Sequence, residues 1–154
     1  AAIVLREGDE LIEVKRTDGD RNIFIATANG QCMLFNEKDV RSMGRVSTGV
    51  RGISLREGDS VIGMQVDAQG EYGLFVSENG QGKRTRLSDF TAHHRGGKGM
   101  ICYKLTERSG KLVGFKAVEK EDDIMIVTTG GIIIRISCGS STSTSTKRLA
   151  CRIS

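Results

Sequence analysis

The chain has 154 residues, 38% of them apolar and 27% charged, with a formal net charge of +4, which is enough for one ordinary domain or a few repeats. Aromatic residues make up 5% and tryptophan is absent, which argues against a reader of single strands that works by base stacking. No apolar run approaches the ~18 residues that span a bilayer, and the start, Ala-Ala-Ile-Val-Leu-Arg-Glu-Gly-Asp, lacks signal-peptide architecture, so a cytoplasmic protein with no membrane partner is expected. Cys32, Cys102, Cys138 and Cys151 are far apart and form no Cys-x-x-Cys pair for zinc or redox chemistry. They read as reduced, structural thiols.

An internal repeat governs the order of elements. Leu-Arg-Glu-Gly-Asp occurs at 5–9 and again at 55–59, and Asn29-Gly30 returns as Asn79-Gly80 and then as Gly130-Gly131. Each of these pairs follows an apolar run: Ile23-Phe24-Ile25-Ala26, Leu74-Phe75-Val76 and Ile124-Met125-Ile126-Val127. Asp39-Val40 matches Asp89-Phe90, Gly49-Val50 matches Gly99-Met100, and Val61-Ile62-Gly63-Met64 matches Leu112-Val113-Gly114-Phe115. Independent landmarks thus agree on a spacing of 50 or 51 residues.

Within a unit the reading is mostly strand. The apolar runs are short and β-branched, and the Asn-Gly and Gly-Gly pairs suit type I′ hairpins, whose two central residues both need positive φ. Second arms are expected at 31–35, 81–87 and 132–136, third strands at 50–55 and 100–105, and fourth strands at 60–66 and 111–118. Strands are also expected at 2–5 and 10–16. Four strands per ~50 residues, with 20 glycines and no proline, describe a propeller-like array of blades. The chain divides into the end of one blade (1–20), two full blades (21–70 and 71–121), the start of another (122–137) and a tail (138–154).

The densest chemistry lies at 79–104, where Lys83, Arg84, Arg86, Arg95, Lys98 and Lys104 face one acid, Asp89. Gly96, Gly97 and Gly99 surround Lys98, so cations and bare N–H groups suit phosphate oxygens there. It is not a nucleotide P-loop, because Lys98 is followed by Gly99 and Met100 rather than by Ser or Thr. A solvated basic turn is the plainer alternative. Against it, a basic loop recurs one unit earlier, Val40 to Arg51, and cations repeated in register line one edge of the array. With about three phosphates per blade, two blades give a salt slope of roughly −5.

At these residues the chain resembles the C-terminal domain of the A subunit of bacterial DNA gyrase. The resemblance rests on Arg41-Ser-Met-Gly-Arg45, Thr48-Gly-Val-Arg-Gly52, Asn79-Gly-Gln-Gly-Lys-Arg84 and Thr106-Glu-Arg-Ser-Gly110. His93-His-Arg-Gly-Gly-Lys-Gly99 is similar to that family's signature box, with His93 and His94 in place of its Gln and first basic residue. The resemblance covers about residues 2 to 136. It implies an all-β β-pinwheel of four-stranded blades that exchange strands, here an incomplete array, wrapping double-stranded DNA with positive handedness to support negative supercoiling. It also implies that the catalytic tyrosine and metal-binding carboxylates lie in other regions, and that ATP and Mg belong to the holoenzyme. The segment is therefore expected to hold no cofactor, metal or catalytic centre, and its partners to be DNA, the remainder of gyrase A, and gyrase B.

On that basis Arg41, Arg45, Arg51, Lys83, Arg84, Arg86, Arg95 and Lys98 are expected to meet phosphates, with Gly96, Gly97 and Gly99 letting the backbone approach. His93 and His94 either add pH-dependent contacts or face water. Tyr72 and Tyr103 read as packing residues. A topoisomerase IV C-terminal domain and a protein-interaction propeller are the alternatives. Residues 138–154, rich in Ser and Thr, depart from the family pattern and read as a tail without order. The open blade edges point to self-association.

Overall fold

A computed structural model describes residues 3–127, 131, 133–138 and 148–150. The chain forms β1 (Asn22–Thr27), β2 (Gln31–Asn36), β3 (Val61–Val66), β4 (Tyr72–Ser77), β5 (Gln81–Arg86), β6 (Met100–Ile101), β7 (Leu112–Val118), β8 (Asp123–Val127), β9 (Ile133–Ser137) and β10 (Arg148–Ala150). Short 3-10 turns stand at Glu37–Asp39, Asp67–Gln69 and Leu87–Asp89. Among the described residues no helix is long and apolar enough to cross a membrane.

The strands make two four-stranded sheets, ordered β3-β1-β2-β6 and β10-β5-β4-β7, and a two-stranded β8-β9 ribbon. β6 follows the second hairpin in sequence yet completes the first sheet, so a strand is exchanged between neighbouring blades, as the resemblance implied. Both full blades carry the same register shift on their inner pair, between Ala26 and Thr27 in one and between Val76 and Ser77 in the other. A bulge repeated at the same place is an inherited part of the unit, not a local defect.

The apolar runs are continuous because both faces of β1 are covered. Phe24 and Ala26 point into the layer between the two blades, with Leu34, Phe75, Leu112 and Phe115. Ile23 and Ile25 pack on the other side, against Met33, Phe35 and Ile53. A strand buried on both faces cannot alternate apolar and polar residues. In the shared layer the Phe75 and Phe115 rings stack at 4.9 Å, and Phe90 meets Phe24 edge-on at 4.9 Å. Burial of such a ring contributes about 1.5–3 kcal/mol, so this cluster joins the blades as much as it fills them.

The hairpin turns differ from the type I′ expectation. Each has three residues, 28–30 and 78–80, closed by Gly30 N donating to Thr27 O at 3.0 Å and Gly80 N to Ser77 O at 2.9 Å. Gly30 has φ 76° and Gly80 φ 70°, the arrangement in which a type I turn ends on a left-handed residue. Thr27 Oγ1 and Ser77 Oγ accept from the N–H groups of Gln31 and Gln81, both at 3.2 Å, which steadies the longer connection. At Gly30 the glycine has a second reason, since a Cβ there would run into the Tyr103 carbonyl oxygen of the next blade.

Four expected strands change. Residues 100–105 shorten to β6, 50–55 form no strand, and neither do the described residues of 2–5 and 10–16. The cause is pairing: β6 adds to the β1–β2 hairpin of the preceding unit, whereas 3–20 contain no hairpin to which 50–55 can add. Glu13 reaches the open edge of β3 instead and accepts from Met64 N at 2.9 Å. Of the residues expected to form a tail without order, Cys138 is buried and 148–150 pair with β5 as β10; the rest of 138–154, and Gly130, lie outside the described residues.

The cysteines that are distant in sequence are not all distant in space. Cys32 and Cys102 are free and buried in the same inter-blade layer. The neighbouring Cys102 thiol, with burial adding to it, pushes the Cys32 thiol far above its ordinary range.

Candidate nucleic-acid interface

After the 3-10 turn Leu87–Asp89 the chain leaves its own blade and runs along the outer edge of β2. His93 N donates to Leu34 O at 2.7 Å, and Met100 and Ile101 pair with Cys32 and Gln31. Between these two anchors, 94–99 bulge outward. The basic box is therefore an outermost strand interrupted by a loop, on the rim of the first sheet.

That loop is held by protein groups. Gly96 N donates to Gly52 O at 2.6 Å, Ser54 N to Gly97 O at 2.8 Å, and Ser54 Oγ to Gly96 O at 2.7 Å. Gly96 (φ 84°) and Gly99 (φ 75°) are left-handed, and a Cβ on Gly99 would strike the Cys32 carbonyl oxygen. The glycines thus let the loop approach the preceding blade, and the Gly96 N–H is already committed there.

The cations divide into two sets. Arg95 donates from Nε to Asp39 O at 2.8 Å and from Nη1 to Arg51 O at 3.3 Å. Both acceptors lie in the preceding unit, so Arg95 clamps two basic loops side by side. Arg84 donates to Cys138 O and lies 4.7 Å above the Tyr72 ring. Arg86 approaches the same ring at 5.8 Å, its Nε 3.4 Å from the Tyr72 hydroxyl and 3.7 Å from Glu71. Tyr103 is buried as a packing residue, but Tyr72 is a half-exposed platform for two guanidinium groups.

The second set faces outward. Arg41, Arg45, Arg51 and Lys98 are exposed, Lys83 is half-exposed, and no carboxylate pairs with any of them among the described residues. Arg41 borders a shallow groove with Lys15 and Lys38, two cations that sequence reasoning passed over. Those two are engaged, Lys15 with Glu13 and Lys38 with Asp20, each at 2.8 Å. His93 and His94 are exposed, with His94 Nδ1 3.9 Å from the Asp39 carboxylate. The two histidines share no metal-like cluster, and no group of three His, Cys, Asp or Glu side chains gathers among the described residues.

What the structure assembles is a positive outer edge. Loop 40–54 and the box lie side by side through the Arg95 clamp, and Lys83 stands on β5 of the next sheet. Such an open edge suits an extended polyanion.

Known proteins resemble this chain in sequence and in fold. A family model described as "DNA gyrase C-terminal domain, beta-propeller" matches residues 21–66, 74–119 and 122–140. The A subunit of DNA gyrase from Aminobacterium colombiense is 44% identical over 137 residues, covering 89% of this chain and 17% of the relative. The protein of the same name from Staphylococcus epidermidis is 47% identical over 137 residues, with 88% and 15% covered. The chain thus spans about a sixth of the length of the curated relatives it matches. Among solved structures, a DNA gyrase A C-terminal domain superposes with a TM-score of 0.83 at 31% identity, over 90% of this chain and 47% of that one. A C-terminal domain of DNA topoisomerase IV gives 0.83 at 28% identity, over 90% and 44%.

Proposed function

Because the chain belongs to the DNA gyrase C-terminal domain family, we propose that it serves in gyrase A as a module that binds duplex DNA and wraps it around the outer edge of its blades. The observation that carries this reading is the side-by-side placement of two basic loops on one rim, fixed by Arg95 donating to Asp39 O and Arg51 O. Arg41, Arg45, Arg51, Lys83 and Lys98 are the phosphate contacts, His93 and His94 border them, and Arg84, Arg86 and Arg95 hold the rim in shape. The units that carry the rim are 21–70 and 71–121, with 122–137 opening a further one.

The chemistry of strand passage then belongs to the remainder of gyrase A and to gyrase B, in the bacterial cytoplasm at the nucleoid, with ATP and Mg acting there. This segment contributes geometry: bending duplex DNA costs deformation energy, and an edge of fixed positive charge offsets it. The β8–β9 ribbon leaves Met125, Val127 and Ile133 exposed at 70%, 65% and 66%, and these side chains are the surface through which isolated segments would self-associate.

The test is the linking number of relaxed plasmid incubated with the protein and religated by a nicking-closing enzyme. A positive shift that grows with protein and vanishes in high salt supports chiral wrapping. Binding without a shift refutes wrapping by these blades, and absence of binding at low salt favours a protein-interaction propeller. The equal TM-score of the topoisomerase IV domain keeps that enzyme as the second reading, in which the same rim serves decatenation.

A further inference from the structure

The junction between the two blades holds a pair of thiols that the rim does not use. Cys32 lies on β2, and Cys102 directly follows β6, the strand that the second unit contributes to the first sheet. Cys32 stands opposite Met100, and the Cys102 N–H donates to Gly30 O at 2.9 Å, so the two cysteines fall on the same face of adjacent strands. At 0% and 3% exposure both enter the layer between the blades. The Cys102 thiol donates to Gly30 O at 3.4 Å, and the Cys32 and Cys102 thiols are hydrogen-bonded to each other. Sulfurs already in contact have only to close to about 2.05 Å to bond. Past Ile101 the ladder ends in a bend at Cys102 and Tyr103, which lets the Cys102 side chain reorient toward its neighbour.

We propose that Cys32 and Cys102 form a disulfide site, oxidised by hydrogen peroxide, that ties the exchanged strand β6 to the preceding blade. The inference does not depend on the DNA-binding function.

With β6 docked the pair is inert, because the Cys102 thiol and burial push the Cys32 thiol up and the thiolate is the nucleophile toward peroxide. β6 holds its sheet by two residue pairs at an edge, so local opening exposes both sulfurs. The Cys102 thiolate then attacks a peroxide oxygen. The S–O bond forms, the O–O bond breaks, and the hydroxide released takes up the thiol proton as water. When β6 returns, the Cys32 sulfur attacks the sulfenic sulfur of Cys102. The S–S bond forms, the S–O bond breaks, and the departing hydroxide leaves with the Cys32 proton as a second water. Two thiols and one peroxide give one disulfide and two waters. The product fixes the strand that anchors the C-terminal end of the basic box.

The experiment treats the whole chain with hydrogen peroxide, alkylates the remaining thiols, and combines peptide mass spectrometry with thermal unfolding. The expected product is a cross-linked peptide pair joining Cys32 to Cys102. Closing a loop of about 70 residues raises Tm by roughly 10 °C. Dithiothreitol reverses the rise, which separates it from methionine oxidation, since a simple thiol does not restore methionine sulfoxide. Cys102→Ala loses the cross-link and the rise, whereas Cys138→Ala keeps both. Recovery of Cys32 and Cys102 as alkylated thiols, or their pairing with Cys138 or Cys151 instead, overturns the inference. A Cys32–Cys102 cross-link that leaves Tm unchanged overturns the tie between the blades.

Discussion

Replacing Arg95 by alanine separates two roles that a basic box combines. The guanidinium donates to two backbone carbonyls of the preceding unit, at 2.8 Å and 3.3 Å. Hydrogen bonds involving a charged group contribute about 1.5–3 kcal/mol each when sheltered. Arg95 is half-exposed and its second bond is long, so the pair together contributes about 1–3 kcal/mol. For a chain of this size each kcal/mol moves Tm by about 2–4 °C. Arg95→Ala should therefore lower Tm measurably while leaving the salt slope of DNA binding where it was. Lys98→Ala should do the reverse, because Lys98 is exposed and pairs with no carboxylate among the described residues: Tm is unchanged and the slope flattens by about 0.9. The five outward-facing cations put the wild-type slope at about −4.5. Thermal unfolding and fluorescence anisotropy read both quantities on the same preparations. If Arg95→Ala flattens the slope by about 0.9 and leaves Tm unchanged, the clamp is not what Arg95 does.

The other predictions concern the scaffold and pH. Gly30→Ala combines a left-handed φ of 76° with a clash against the Tyr103 carbonyl, so it should destabilise by clearly more than Gly8→Ala, where φ is 82° but nothing lies within 4 Å; the latter carries only the left-handed cost of about 1–2 kcal/mol. Chemical denaturation of the two variants checks the order, and equal losses would refute the close approach. Phe24→Ala, at 1% exposure in the layer between blades, should cost about 3–5 kcal/mol, read as a lower denaturation midpoint; a loss below about 1 kcal/mol would mean that the blades do not share this core. The Lys38 ammonium, donating to and attracting Asp20, holds its carboxyl below the ordinary value of 3.8. A carboxylate whose folded pKa is depressed stabilises above its unfolded pKa, and that stability is lost as pH falls through the folded one. Tm should therefore fall more steeply below pH 3.8 in wild type than in Asp20→Asn, and parallel curves would refute the linkage.

How far the sequence discloses this molecule depends on what kind of partner each residue meets. The repeat was legible because landmark residues such as Asn29-Gly30 and Asn79-Gly80 recur at fixed spacing, and each hairpin closes on itself. The edge location of the basic loops followed from the same periodicity. The turn class did not, since a left-handed glycine after Asn serves a three-residue turn as well as a two-residue one, and the choice is made by Thr27 and Ser77 accepting from Gln31 and Gln81. The strand at 50–55 failed for a related reason: its sequence resembles that of 100–105, but a strand exists only where another edge receives it. Arg95 shows the limit most clearly. Its acceptors are main-chain carbonyls 56 and 44 residues away, and every residue carries a carbonyl, so no pattern of side chains marks them. A cation destined for a phosphate and one destined for a carbonyl are therefore written with the same letter. Only the packing of one blade on the next distinguishes the residues that hold the rim from those that use it.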